Sequence, residues 1–190
     1  IGQGESRRCY LSIEEIRLLM ATPCKDETVK QAFLFACFCG LRISDVRTLR
    51  WADIGKGTEG YYISKLMVKT RHVVTVPLSE NALSWMPARG QARADDKVFE
   101  LPSFFSVNYR LKQWAREAGI DKPVTFHVSR HTFATTLLTM GVDLYTTSKL
   151  LGHQNITTTQ VYAEIVNRKK VEAVSLLDQI KPPLGTLLGT

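Results

Sequence analysis

The last third of this 190-residue chain carries side chains suited to work on a phosphate ester. His127 and Arg130 stand three apart in Phe126-His127-Val128-Ser129-Arg130-His131. A further histidine, His153, follows Leu150-Leu151-Gly152, and Tyr162 lies nine residues beyond it, after Thr157-Thr158-Thr159-Gln160-Val161. No carboxylate is interleaved in either stretch. Hard metal ions want carboxylate oxygens, so the set makes a poor metal cage. It suits a phenol that attacks a phosphodiester. Guanidiniums donate paired hydrogen bonds to non-bridging oxygens and stay charged at any working pH. As charge grows on those oxygens in the transition state, fixed donors bind them better than in the ground state. A tyrosine, with an ordinary pKa of about 10, needs neighbouring cations and a proton acceptor to ionise. The expelled alkoxide needs a proton, which a lysine can supply.

These side chains need a scaffold, and the chain's punctuation outlines one. Ser12-Ile13-Glu14-Glu15 is a capping box that opens a helix to about Ala21, before Pro23. Asp26 can cap a second helix, whose apolar run 32–39 is too continuous for a surface helix. Gly40 stops it, and it is expected at the centre of the core. Ser44 is expected to cap a short helix over 45–49, and Gly55, Gly57 and Gly60 to mark turns. Residues 61–68 and 73–76 read as strands of a hairpin joined by Lys69-Thr70-Arg71-His72, with Pro77 ending the second strand. A helix follows from Ser79 to about Trp85, then a polar loop over 87–97. The stretch 103–118 is amphipathic, with Phe105, Leu111 and Trp114 as buried candidates, and Gly119 caps it. Further helices are expected over 129–140 and from Asp143 to Gly152. A short helix or turn over 157–165 carries Tyr162, and a last helix covers 167–180. The fold class expected is α+β: a mainly helical catalytic domain over 9–181 with a small antiparallel β-sheet. Residues 1–8 read as the end of a linker from a missing N-terminal domain, and 182–190, opening on Pro182-Pro183, as a mobile tail.

Composition narrows the class. The chain is 44% apolar and 23% charged, an ordinary globular balance. No apolar run approaches the roughly 18 residues of a membrane span, and no signal peptide is visible. The formal charge of +7 favours a polyanionic partner, because released counterions drive binding to nucleic acid. Cys9, Cys24, Cys37 and Cys39 match no zinc-knuckle pattern. Cys37 and Cys39 point about 200° apart around a helix, so reduced, buried thiols are the favoured reading.

Five motifs in order carry a resemblance: Gly40-Leu41-Arg42-Ile43-Ser44-Asp45, the Lys69 hairpin leading to Val76-Pro77-Leu78, His127 to His131, Leu150 to His153, and Tyr162. Over about 11–170 the chain resembles the catalytic domain of the tyrosine recombinases, the phage integrase family, and most of all integrases of Bacteroides-type mobile elements. The resemblance implies a DNA strand transferase that makes a 3′-phosphotyrosyl link and needs no metal, ATP or other cofactor. It implies Tyr162 as nucleophile, Arg42 and Arg130 on the scissile phosphate, Lys69 as the acid for the leaving 5′-oxygen, and His127 and His153 at the remaining active-site positions. Asp45 would support an arginine or a histidine. The partner implied is double-stranded DNA, bound by a homotetramer, with this piece alone a monomer. The location implied is the cytoplasm, at the nucleoid when DNA is bound, and the task is integration and excision of a mobile element. A chromosome-dimer-resolving recombinase, a type IB topoisomerase-like enzyme and a non-catalytic DNA-binding module stay open.

Each residue also has a plainer role. Arg42 could pair with Asp45 or Asp53, and Asp45 could simply cap a helix. Lys65 rivals Lys69, but Lys65 lies inside a strand whereas Lys69 sits at the turn. His127 and His131 are four apart, a zinc spacing on a helix, yet Arg130 stands between them and no third ligand is evident. His131 reads as a structural residue bonding a backbone carbonyl, with His127 at the helix entrance. His153 suits a helix C-terminus. Lys112, Arg116, Lys122 and Lys149 are candidates for wider phosphate contact.

Overall fold

The apolar run 32–39 lies in the helix Glu27–Cys39, buried on nearly every side. The computed structural model describes residues 9–175. In chain order its elements are α1 (Ile13–Ala21), α2 (Glu27–Cys39), α3 (Ile43–Arg47), a 3₁₀ turn (Trp51–Asp53), β1 (Ile54–Gly57), β2 (Gly60–Leu66), β3 (Val73–Pro77), α4 (Glu80–Ser84), α5 (Phe104–Glu117), α6 (Phe126–Thr139), α7 (Leu144–Leu150) and α8 (Thr157–Ser175). The expected linker over 1–8, the end of the last helix over 176–180 and the tail over 182–190 lie outside the described residues. No described helix is long and apolar enough to cross a membrane.

α2 is the hub, packed against α4, α5 and α6. Its Phe33 sets its ring edge-on to Trp114 of α5 and to Phe126 of α6, at 6.1 Å and 5.9 Å. Buried Lys30 of α2 donates to the carbonyls of Met20 and Thr22, and Trp114 Nε1 also donates to Thr22 O. The last carbonyls of α1, which no helical N–H can reach, are thereby satisfied.

The sheet is an antiparallel meander in the order β1-β2-β3. β2 alternates, with Ile63 and Lys65 inward. Lys65 Nζ donates to Thr48 O at 2.8 Å and to Asp53 Oδ2 at 3.0 Å, so its charge is spent inside the fold.

Five local expectations are corrected. Gly55 and Gly57 belong to strand β1 rather than to turns; the Tyr62 ring lies across Gly55, where any side chain would collide. Ser44 does not cap α3: the amides of Asp45 and Val46 both donate to Arg42 O, which puts Arg42 at the N-cap. α6 begins at Phe126, so His127 lies inside it; the Phe126 amide is capped by Asn108 Oδ1 from α5, a tertiary contact invisible to local reading. Residues 157–175 form one helix, not two segments. Asn167 costs such a helix only tenths of a kcal/mol, and Tyr162, Ile165 and Val166 hold it against its neighbours. Phe105 is 79% exposed, because it points away from the α5 face formed by Val107, Leu111, Trp114 and Ala115.

Candidate active site

His127, Arg130 and His131 occupy one face of α6, at helix spacings of three and four. Arg130 is only 2% exposed yet forms no ion pair among the described residues. Its partners are helix ends. Nη1 donates to Gly40 O, at the C-cap of α2, at 2.7 Å, and Nη2 donates to Leu151 O, at the C-cap of α7, at 2.6 Å. Both are carbonyls left over by helix geometry, at the negative ends of the two helix dipoles. Burial pushes the guanidinium down to about 10, the nearby Arg42 charge adds to this, and Tyr162, Asp45 and Cys39 oppose it. Arg130 is therefore still a cation at neutral pH.

Two glycines let those helix ends approach. Gly40 has φ +71°, and a Cβ there would lie 2.5 Å from the Phe133 ring of α6. Gly152 has φ +62°, and a Cβ there would lie 2.7 Å from Val74 Cγ2 of β3. Leu41 then leads directly to Arg42, and Gly152 to His153.

His153 turns its Nε2 to Arg130 Nη2 at 2.9 Å and its Nδ1 to Thr159 Oγ1 at 2.7 Å. Arg42 holds a buried Nη1 without a hydrogen-bond partner. Buried donors are nearly always satisfied, so this N–H has the capacity for one further acceptor. Arg42 pairs with neither Asp45 nor Asp53: Asp53 is taken by Lys65, and Asp45 Oδ1 accepts the Val68 amide at 2.8 Å.

That last bond ties α3 to the turn carrying Lys69. On the other side of Lys69, Gln154 Nε2 donates to Thr70 O at 3.4 Å. The exposed Lys69 is thus flanked by tethers from the neighbours of Arg42 and of His153. Asp45 Oδ1 thus anchors the hairpin, while the carboxylate charge also favours the Arg130 cation.

Tyr162, on α8, is 2% exposed, and its hydroxyl lies 2.7 Å from His131 Nδ1. His131 in turn stacks edge-on against exposed His127, with ring centroids 4.3 Å apart. The histidine read as a structural residue thus contacts the phenol through Nδ1. The structure therefore gathers Arg42, Arg130, His153 and Tyr162, attaches His127 through His131, and holds Lys69 on a tethered turn. Sequence reading missed the contacts of His131 and Thr159. The available signals were spacings: His131 follows Arg130 directly, and Thr159 is one helical turn before Tyr162. An open groove of about 650 Å³ runs beside His153 between β3 and α7, lined by His72, Lys149 and Gln154 among others.

Comparison with known proteins follows the same outline. The model of the phage integrase family matches residues 10–168. Tyrosine recombinase XerD of Proteus mirabilis is 34% identical, over 92% of this chain and 59% of that protein. The chain spans about three fifths of the length of the curated relatives it matches. Among solved structures, the catalytic domain of bacteriophage HP1 integrase superposes with a TM-score of 0.65 at 23% identity, covering 95% of this chain and 99% of that one. XerH site-specific recombinase bound to palindromic difH substrate, a post-cleavage complex, superposes with a TM-score of 0.68 at 16% identity, covering 90% and 54%.

Proposed function

The chain belongs to the phage integrase family, and from that premise we propose that it cleaves and rejoins DNA strands through a 3′-phosphotyrosyl intermediate. The scissile phosphate takes up the buried Nη1 hydrogen of Arg42 together with the N–H groups that Arg130 has not committed to helix carbonyls. Its negative charge is balanced before the phenolate approaches. His131 Nδ1 accepts the Tyr162 proton across their 2.7 Å contact, and the oxygen attacks phosphorus. The Oη–P bond forms as the P–O5′ bond breaks. Lys69, at the tethered turn, gives its proton to the leaving 5′-oxygen. His153 backs the phosphate beside Arg130, and His127 completes the donor set from the same helix face. The phosphotyrosyl ester conserves the bond energy, so religation to a new 5′-hydroxyl reverses the steps.

One observation supports this reading above the others: the Arg130 guanidinium lies within reach of the Arg42 charge and of Tyr162, neither arginine is ion-paired among the described residues, Arg42 keeps an unsatisfied buried N–H, and Tyr162 is hydrogen-bonded to a histidine. The groove with Lys149 and His72 fits the flanking DNA backbone. On this reading 9–181 is the catalytic part of a longer recombinase, four copies act on two DNA sites, the place is the cytoplasm at the nucleoid, and the task is moving a mobile element.

A nicked suicide DNA substrate tests the proposal. Denaturing electrophoresis is expected to show a covalent protein–DNA adduct that chelators do not affect and that Tyr162→Phe abolishes. An adduct that survives in Tyr162→Phe would refute the assignment. Lys69→Ala is expected to slow cleavage strongly on a normal 5′-oxygen and weakly on a better leaving group; equal slowing would reject the acid role.

A further inference from the structure

Thr159 has no part in the steps above, yet it is fully buried in the site. It sits on α8, one turn before Tyr162, with Oγ1 2.7 Å from His153 Nδ1. The other ring nitrogen, Nε2, lies 2.9 Å from Arg130 Nη2. A guanidinium N–H can only donate. Nε2 therefore presents its lone pair, and in the neutral ring the proton sits on Nδ1, where it is donated to Thr159 Oγ1. Each ring nitrogen faces a partner that fixes its role.

We propose that Thr159 is a positioning residue for His153: it sets the tautomer and the ring plane so that Nε2 faces the Arg130 guanidinium and the bound phosphate. The inference rests on reading His153 as a phosphate-binding group. A hydroxyl suits the task. It accepts Nδ1–H from the neutral and the protonated ring alike, so Nε2 can gain a proton when phosphate displaces the Arg130 N–H, and the Thr159 bond survives. A carboxylate there would add negative charge beside the scissile phosphate. Thr159 and Tyr162, three apart, also share one face of α8. The helix that delivers the nucleophile thus orients the histidine too.

Two measurements on the chain test this: nitrogen-15 NMR of the His153 ring, and single-turnover adduct formation on nicked suicide DNA. Wild type is expected to show the Nδ1-protonated tautomer. Thr159→Val keeps the shape but removes the acceptor. It should shift the ring out of that tautomer and slow adduct formation about tenfold to a hundredfold. Thr159→Ser should recover most of the rate. Added to His153→Ala, Thr159→Val should slow the reaction no further, because its effect passes through the missing ring. An Nε2-protonated ring in wild type, an unchanged rate in Thr159→Val, or equal slowing in the His153→Ala background would each overturn the proposal. If wild type forms no Tyr162-dependent adduct, the recombinase reading falls, while the ring spectra still decide whether Thr159 holds His153.

Discussion

Arg130 holds more than a future phosphate. Its bonds to Gly40 O and Leu151 O fasten the ends of α2 and α7, whereas Arg42 leaves a buried N–H without a partner. The two arginines should therefore fail differently. Arg130→Ala strands two buried carbonyls and is expected to cost on the order of 2–4 kcal/mol in urea unfolding as well as activity. Arg42→Ala should stay within about 1 kcal/mol of wild type, yet slow adduct formation by about 10²–10³. Equal destabilisation by both would contradict the division of labour. His131→Gln probes the proton path: cleavage should fall by about 10²-fold with the fold intact. A change in melting temperature alone would return His131 to the structural role read from sequence. The chemistry proposed for these residues was suggested by their types and spacing. Their partners were not, since the Gly40 O and Leu151 O contacts join residues 90 and 21 positions apart. Position favoured Lys69 over Lys65 as the proposed acid, and the ion pair of Lys65 with Asp53 supports that preference.

Helices with strong caps and a clear apolar face were readable to within a residue or two, as α1, α2 and α5 illustrate: Ser12 and Asp26 cap as expected, and Ser103 accepts from the Ser106 amide at the start of the amphipathic stretch. Elements whose ends are set by distant groups were not, and α6, capped by Asn108, is the plainest case. Loops at helix ends carry the site, so their geometry is testable. Gly152→Ala forces a Cβ to within 2.7 Å of Val74 at φ +62°, which should cost on the order of 2–4 kcal/mol and displace His153. Adding Val74→Ala relieves the contact but not the backbone strain, so recovery by calorimetry should be partial. Full recovery would show that φ is unstrained there. α7 offers a pH test. Asp143 caps it, and the Thr146 amide holds its carboxyl below the usual value of 3.8. A lowered folded value means that the stabilisation is present above pH 3.8 and lost as pH falls through the lowered value. The stability gap between wild type and Asp143→Asn should thus be flat from neutral pH to about pH 5 and shrink below it. A gap that widens in acid would reverse the sign and reject the cap.

Charge is where composition and architecture must be separated. The excess of seven positive charges predicted a polyanionic partner, but a count does not say which lysines reach it. Lys65 and Lys149 separate the two cases. Lys65 is 8% exposed and bonded internally, so DNA cannot exchange its counterions. Lys149 lines the groove beside His153, with its ammonium 5.1 Å from the exposed Tyr145 ring, a contact worth at most about 1 kcal/mol that a phosphate can outbid. Binding to duplex DNA should weaken linearly in log–log form as salt rises, by about 0.9 per phosphate neutralised. Lys149→Ala should lower that slope by about one and weaken specific and non-specific sequences alike. Lys65→Ala should leave the slope unchanged but destabilise the fold, because Asp53 loses its partner and Thr48 O its donor. Fluorescence anisotropy titrations across salt concentrations read the slopes, and thermal unfolding reads the stability. If the two lysines changed the slope equally, the groove would not be the DNA path, and the basic character of the chain would be diffuse attraction without a track.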